Sequence, residues 1–265
     1  YLQEADATQD ARAAARIGAK AAPPLYTVLD ATNSLHQFSA VVRYEQPYPI
    51  APGITATFFN AGHILGSASV FLEVEENGKK RSAFFSGDIG NADRPLLQPP
   101  RTPPAAQTVV MESTYGDRNH RPYRESVEEL YAAITATFAR GGNVVIPTFA
   151  LERAQELLYI LRQGIETNRL PAAMPVFVDS PMAISATEIF KRYPDCYSPA
   201  IAELFREGKD PFGLPGLHFT RDRAESIAIN QVKGGAIIMA GSGMATGGRV
   251  VHHLRHNLAR PEAGV

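Results

Sequence analysis

The chain has little cysteine and no tryptophan: Cys196 stands alone among 265 residues. A single cysteine excludes an internal disulfide framework and fits a reducing compartment, so a cytoplasmic location is expected. No apolar run approaches the ~20 residues of a membrane-spanning helix, and no stretch resembles a signal peptide, so no membrane partner is expected. Neither sign of charge prevails either. With 26 basic and 27 acidic residues the formal net charge is −1, which excludes a broad electrostatic footprint for nucleic acid and leaves only local patches. Internal repeats and low-complexity tracts are missing too. What remains is a 45% hydrophobic chain, ample for one large or two ordinary domains.

The pattern changes near Gly116. Residues Tyr1 to Lys20, rich in Ala, Gln, Glu and Arg, predict a helix that stops before Pro23-Pro24, and Asp30 to Phe38 a second, short one. Strands follow at Thr55–Asn60, Ser67–Val74 and Lys80–Ser86, the last two joined by Asn77-Gly78, a strong hairpin signal. Prolines at 95, 99, 100, 103 and 104 mark a long surface connection before a strand at Thr108–Met111. Beyond Gly116, helices and apolar strands alternate. Helices are predicted at Tyr123–Arg140, Leu151–Arg162, Met182–Tyr193 and Arg249–Leu258, and strands at Val144–Pro147, Val176–Val178 and Ala236–Ala240. Ser180 and Pro181 supply an N-cap and first-turn pair. Strand, crossover helix, strand units imply an α/β fold with a mainly parallel sheet, and two domains at 1–116 and 117–265.

The segment AGHILGSA, Ala61 to Ala68, and the tetrapeptide Phe85-Ser86-Gly87-Asp88 place His63 and Asp88 where neighbouring strands give way to loops. Gly62, Gly66 and Gly87 allow those loops close backbone approach. An imidazole and a carboxylate are ligand types that a catalytic zinc takes. A hydrogen-bonded His at a strand end is the alternative.

AGHILGSA, FFSGD and MESTYGD closely resemble consecutive motifs of the β-CASP branch of the metallo-β-lactamase-fold nucleases. The likeness continues through RNHRPYRESV, VVIPTFALERAQELLYIL, VFVDSPMA and MAGSGMATGGRVVHHL. That branch holds the mRNA 3′-end processing endonucleases and ribonuclease J, and the match is nearest to its bacterial ribonucleases. The resemblance implies part of a metallo-β-lactamase αββα fold followed by a β-CASP α/β domain. It also implies that His63 ligates one of two zinc ions, that Asp88 bridges both, and that Glu112 orients a His that protonates the leaving group. Two departures accompany it. The family's His-x-His-x-Asp-His cluster has no counterpart, since residues 1–62 hold only His36, and the family's later His motifs do not occur before Val265. The chain is therefore expected to be an internal piece of a longer protein, inactive alone because two ligands cannot hold a dinuclear site.

Three strands end in short polar segments, at Thr148-Phe149, Asp179-Ser180-Pro181 and Gly241-Ser242-Gly243. Ligands of open α/β sheets collect at such ends, where helix N-termini favour anions. Ser242 to Arg249 is the best phosphate cradle, with Ser242 and Gly243 near the anion and Arg249 free for a charge-assisted contact, or else a flexible turn. Ser180 lies at a neighbouring strand end. Arg153 either points into the same cleft or is a solvated surface residue. Tyr115 either reaches a phosphate oxygen or packs in the domain junction. The run Arg118 to Arg124 either tracks an RNA backbone, with Tyr123 available for stacking, or is a solvated loop. His252, His253 and His256 lie towards the polar side of a helix whose buried stripe is Val250, Val251, Leu254 and Leu258, and no Glu follows His252 as a zinc helix requires. Phe190, Tyr193 and Cys196 or its near neighbours are assigned to core.

These residues fit a zinc-dependent ribonuclease acting on single-stranded RNA in an interdomain cleft. Endo- and exonuclease action both remain open, and a homodimer is compatible with the reading. A noncatalytic scaffold that binds RNA or a processing partner is the alternative. A metallo-hydrolase of small esters or lactones fits less well, because a small substrate needs no second-domain clamp.

Overall fold

The computed structural model describes residues 7, 8, 11, 12, 14–18, 20, 22–38 and 40–265. The chain divides into two compact units, Tyr1–Arg43 and Tyr44–Val265.

In the first unit, residues 7, 8, 11, 12 and 14–16 are helical. The rest of the helix expected over Tyr1–Lys20 lies outside the described residues or, at 17 and 18, is a turn. Helix α1, Val28–Ser34, starts two residues before the expected position because Thr27 caps it: Thr27 and Asp30 exchange side-chain and backbone bonds in a capping box. A 3₁₀ turn at Leu35–Gln37 extends it.

The second unit contains two sheets. The first has five strands in the order β1-β2-β3-β4-β5, with β1 at Tyr48–Ala51, β2 at Ile54–Asn60, β3 at Ala68–Glu76, β4 at Lys79–Phe85 and β5 at Thr108–Val110. Neighbours run antiparallel except β4 and β5, which are parallel. The β3–β4 hairpin turns at Asn77 and Gly78, whose φ values of 52° and 72° suit the turn those residues predict. Strand β1 was not anticipated; it carries Pro49 and sits at the sheet's edge, the position that proline tolerates.

The second sheet is wholly parallel, in the order β6-β9-β7-β8, formed by Val144–Pro147 (β6), Val176–Val178 (β7), Leu217–Phe219 (β8) and Ile237–Ala240 (β9). Its helices are α2 (Tyr123–Ala139), α3 (Arg153–Glu166), α4 (Pro181–Phe190), α5 (Pro199–Arg206), α6 (Arg223–Ile229) and α7 (Arg249–Asn257). The architecture is α/β. Val145, Val176, Val178, Ile237, Ile238 and Met239 are almost wholly buried, as strands covered on both faces must be.

Two expectations need correction. The proline-rich connection does not simply cross the surface: Leu96 and Leu97 sink into the α/β core, because an apolar pair between prolines gains more by burial than by exposure. Tyr193 is exposed, and Tyr197 fills the core beside Phe190 instead, its hydroxyl donating to the Phe190 carbonyl at 2.9 Å. Of Cys196 and its near neighbours it is Tyr197 that takes the core position, with Cys196 itself half-buried.

Candidate functional site

The loop between β2 and β3 is built around its own polar atoms. Asn60 Oδ1 accepts from Gly62 N–H at 2.9 Å, and Ser67 Oγ accepts from the N–H groups of His63 and Ile64 at 3.1 and 3.2 Å. The loop after β4 presses against it, with Gly90 N–H donating to Ala61 O at 2.8 Å. A Cβ on Gly90 would fall 1.7 Å from Gly62 O, so only glycine permits this approach. The result places His63 Nε2 3.8 Å from Asp88 Oδ2, both side chains well exposed.

Glu112 joins the same place from the end of β5. Its N–H donates to Ser86 Oγ at 3.0 Å, and its Oε1 accepts from Ile89 N–H at 2.6 Å. The Ile89 N–H, then the Thr114 hydroxyl, with a smaller contribution from His63, hold its carboxyl below the usual range. Glu112 is therefore an anion beside the His63–Asp88 pair at neutral pH.

Imidazole and carboxylate suit a metal by type, and the glycine-bound loops bring them together. They are short in number. Among the described residues no group of three or more His, Cys, Asp or Glu is placed to hold a metal, whereas a catalytic zinc takes three protein ligands. The pair fits one side of a metal centre and does not complete one.

At the carboxyl end of the parallel sheet, Ser180 caps α4, its Oγ accepting from Ala183 N–H at 3.3 Å. Ser242 N–H donates to Gly247 O and Ala245 N–H to Ser242 O, both at 3.1 Å, so the segment from Ser242 to Gly248 closes on itself. Gly243 lies against the Phe149 ring and Gly248, at φ 76°, against Gly241 O. Arg249 is not free: its guanidinium donates to Asp179 Oδ1 at 2.6 Å and to the carbonyls of Thr220 and Arg221 at 3.2 and 2.8 Å.

Asp179, which is wholly buried, also accepts from Ser226 Oγ at 2.6 Å and pairs with His253 Nε2 at 2.7 Å. Burial pulls its pKa up, but the bonds from His253, Ser226 and Arg249 outweigh that and hold it low. The stripe expected on α7 therefore needs correction. Val250, His253 and Asn257 are the buried residues and Leu258 is exposed, because His253 has a carboxylate to meet inside. An acidic residue closing an apolar strand, Val176-Phe177-Val178-Asp179, was the available signal.

Sequence reasoning also missed a charged cluster at the start of α3. Glu156, 3% exposed, receives both carboxylate bonds from Arg94, at 2.6 and 2.5 Å, and one from Arg153 at 2.6 Å. Beside it Glu152 accepts from Leu65 N–H, in the His63 loop, at 3.2 Å. Burial, then the neighbouring Glu156 charge, pushes the Glu152 carboxyl up to about 8. The loop from Arg118 to Arg124 is also rearranged. Tyr123, half-buried with its hydroxyl unpartnered, does not face solvent for stacking. Tyr115 does: it is 49% exposed, with the His120 ring 3.9 Å away and the Arg118 guanidinium 5.1 Å from its centroid.

Residues 154–265 match the Beta-Casp domain. The chain carries a Beta-Casp domain. Over 208 residues this β-CASP chain is 43% identical to Ribonuclease TTHA0252 of Thermus thermophilus, covering 78% of itself and 47% of that protein. It is 35% identical over 246 residues to Transcription termination factor FttA of Pyrococcus abyssi, covering 91% of itself and 37% of the relative. With RNase J-like protein of Methanocaldococcus jannaschii it shares 34% over 233 residues, 87% of this chain and 52% of the other. The β-CASP chain thus spans about half or less of these curated relatives. No helix among its described residues is long and apolar enough to cross a membrane.

Proposed function

We propose that this β-CASP chain is part of a metal-dependent ribonuclease that hydrolyses phosphodiester bonds of single-stranded RNA. The observation that carries the reading is the convergence of His63, Asp88 and Glu112 on one exposed place, formed by strand ends and glycine contacts. In the whole protein His63 and Asp88 would hold zinc together with donors that the described residues do not contain. Bound zinc supplies a hydroxide at neutral pH and charge neutralisation for the scissile phosphate. Within the chain, Asp88 presents the carboxylate and Glu112 stays ionised. Glu112 thereby favours a protonated acid nearby, which delivers a proton to the departing ribose oxygen. Names of the relatives, two of them RNases, support RNA as the substrate.

The substrate strand would run towards the carboxyl end of the parallel sheet. There Ser180 caps a helix start that favours anions, Ser242 and Gly243 lie in the turn that leads to α7, and exposed Tyr115 offers a ring to a base. Arg249 braces that end, and Arg153 serves the Glu156 cluster. In this reading 1–116 belongs to a metallo-β-lactamase-like domain and 117–265 to the β-CASP domain, in a cytoplasmic protein able to form a homodimer.

The test is cleavage of labelled single-stranded RNA by the whole protein with added zinc, against Asp88→Ala. Loss of cutting by more than about 100-fold is expected, beyond the 10–100-fold typical of removing a supporting group. The incomplete donor set favours a second reading, a scaffold. If neither protein cuts while both bind RNA, that reading replaces the first.

A further inference from the structure

We propose that Glu152 is a positioning residue through which the α/β part of the molecule sets the shape of the His63 loop. The inference rests on the nuclease reading for its consequence, but the geometry stands by itself. Glu152 adopts φ 62° and ψ −58° at the start of α3. That is a γ-turn, closed by Arg153 N–H donating to Leu151 O at 2.8 Å; it is rare and strained for a residue with a side chain, and such strain persists where surrounding contacts hold it. The contact is visible. The Glu152 carboxyl accepts the N–H of Leu65, two residues from His63, across 87 positions of sequence.

A second contact holds the same point. The Leu65 side chain packs against the apolar core of the parallel sheet. Every bond to the backbone of His63 and Ile64 described above comes from Ser67, within the loop itself. Glu152 and the core beneath Leu65 thus fix the loop from outside, one by a hydrogen bond and one by packing. Glu156 lies one helical turn on, its carboxylate taken by Arg94 and Arg153. The γ-turn aims the Glu152 carboxyl at the Leu65 N–H.

Two substitutions separate this role from plain stability. Glu152→Gly removes the carboxyl and relieves the positive φ, so folding is retained; Glu152→Gln keeps an acceptor of the same length. In the whole protein, stripped of metal by chelator, hydrogen–deuterium exchange at the Leu65 amide should quicken about tenfold or more in Glu152→Gly and stay near wild type in Glu152→Gln. In the zinc-loaded protein, Glu152→Gly should lose about tenfold or more in zinc affinity against a chromophoric chelator, as removal of an outer-shell partner does. Its kcat should fall while KM stays within about twofold, with Glu152→Gln again restoring both. Unchanged Leu65 exchange in Glu152→Gly overturns the proposal. So does unchanged zinc affinity where exchange has quickened, since the bond would then not position the site. Wild-type protein that binds no zinc and cuts no RNA would sink the nuclease reading instead, and the exchange result would still decide the positioning claim.

Discussion

Two acidic residues, Glu152 partly buried and Asp179 wholly so, have opposite electrostatics, and each gives a measurable consequence. Glu152 is pushed up to about 8, so between its unfolded pKa near 4.5 and that value the folded chain binds more protons than the unfolded one. Stability should therefore fall as pH rises from about 5 to 8, by an amount on the order of 2–4 kcal/mol. Urea unfolding across that range should show the decline in wild type and a flatter profile in Glu152→Gln; equal slopes would refute the assignment. Asp179 is the reverse case, an anion shared by Arg249, His253 and Ser226. Asp179→Ala leaves Arg249 and His253 without their common acceptor in a buried place, and about 3–5 kcal/mol should be lost in the same assay. The meeting of His63 and Asp88 at two strand ends was legible because glycines there advertise tight loops. Glu152 was not, because neither a positive φ nor a carboxyl buried by a distant loop leaves a mark in the local sequence.

Elements were legible where apolar runs or sharp turn signals mark them. The hairpin at Asn77-Gly78 and the helices α2, α3, α4 and α7 fall within a few residues of expectation, since turn glycines, Ser180 and proline punctuate them. Strands β1 and β8 and helices α5 and α6 were missed. Each is only three to eight residues long, and β1 and β8 lack the continuous apolar run that marked the equally short β6, β7 and β9, so tertiary pairing creates them. Glycine roles differ in the same way. Gly78 has open space around its missing Cβ and a φ of 72°, so Gly78→Ala should cost only conformational strain, about 1 kcal/mol. Gly90 has an ordinary φ but Gly62 O where its Cβ would go. Gly90→Ala must part the two loops, so the loss should exceed that of Gly78→Ala several-fold in thermal melts. The loop carrying Tyr115 yields a binding prediction. Tyr115→Ala should weaken short single-stranded RNA by about 1–3 kcal/mol in fluorescence anisotropy with the whole protein, while Tyr115→Phe retains the affinity. Equal loss in both would assign the effect to the hydroxyl.

Residues 44–265 behave as one compact unit although they contain two sheets, and the reason lies in what crosses between them. Leu96 and Leu97 leave the first sheet's connection and enter the core of the second, Leu97 bridging to Tyr197 and Ser198 donating to the Pro95 carbonyl at 2.6 Å. Arg94, from the same connection, meets the buried Glu156. The proline-rich segment is thus a shared wall, which sequence reasoning took for a surface strap because proline frequency outweighed the two leucines within it. Cooperativity follows from that placement. Leu96 is 1% exposed, and Leu96→Ala should cost about 2–5 kcal/mol by cavity formation. Because the cavity opens in a wall common to both sheets, native-state hydrogen exchange should show amides of β2 and β3 losing as much protection as those of β6 and β9. Loss confined to β6 and β9 would mean that the sheets unfold independently. The His63 loop would then draw no stability from the parallel sheet beneath it, and the transmission from Glu152 to Leu65 would have no rigid base.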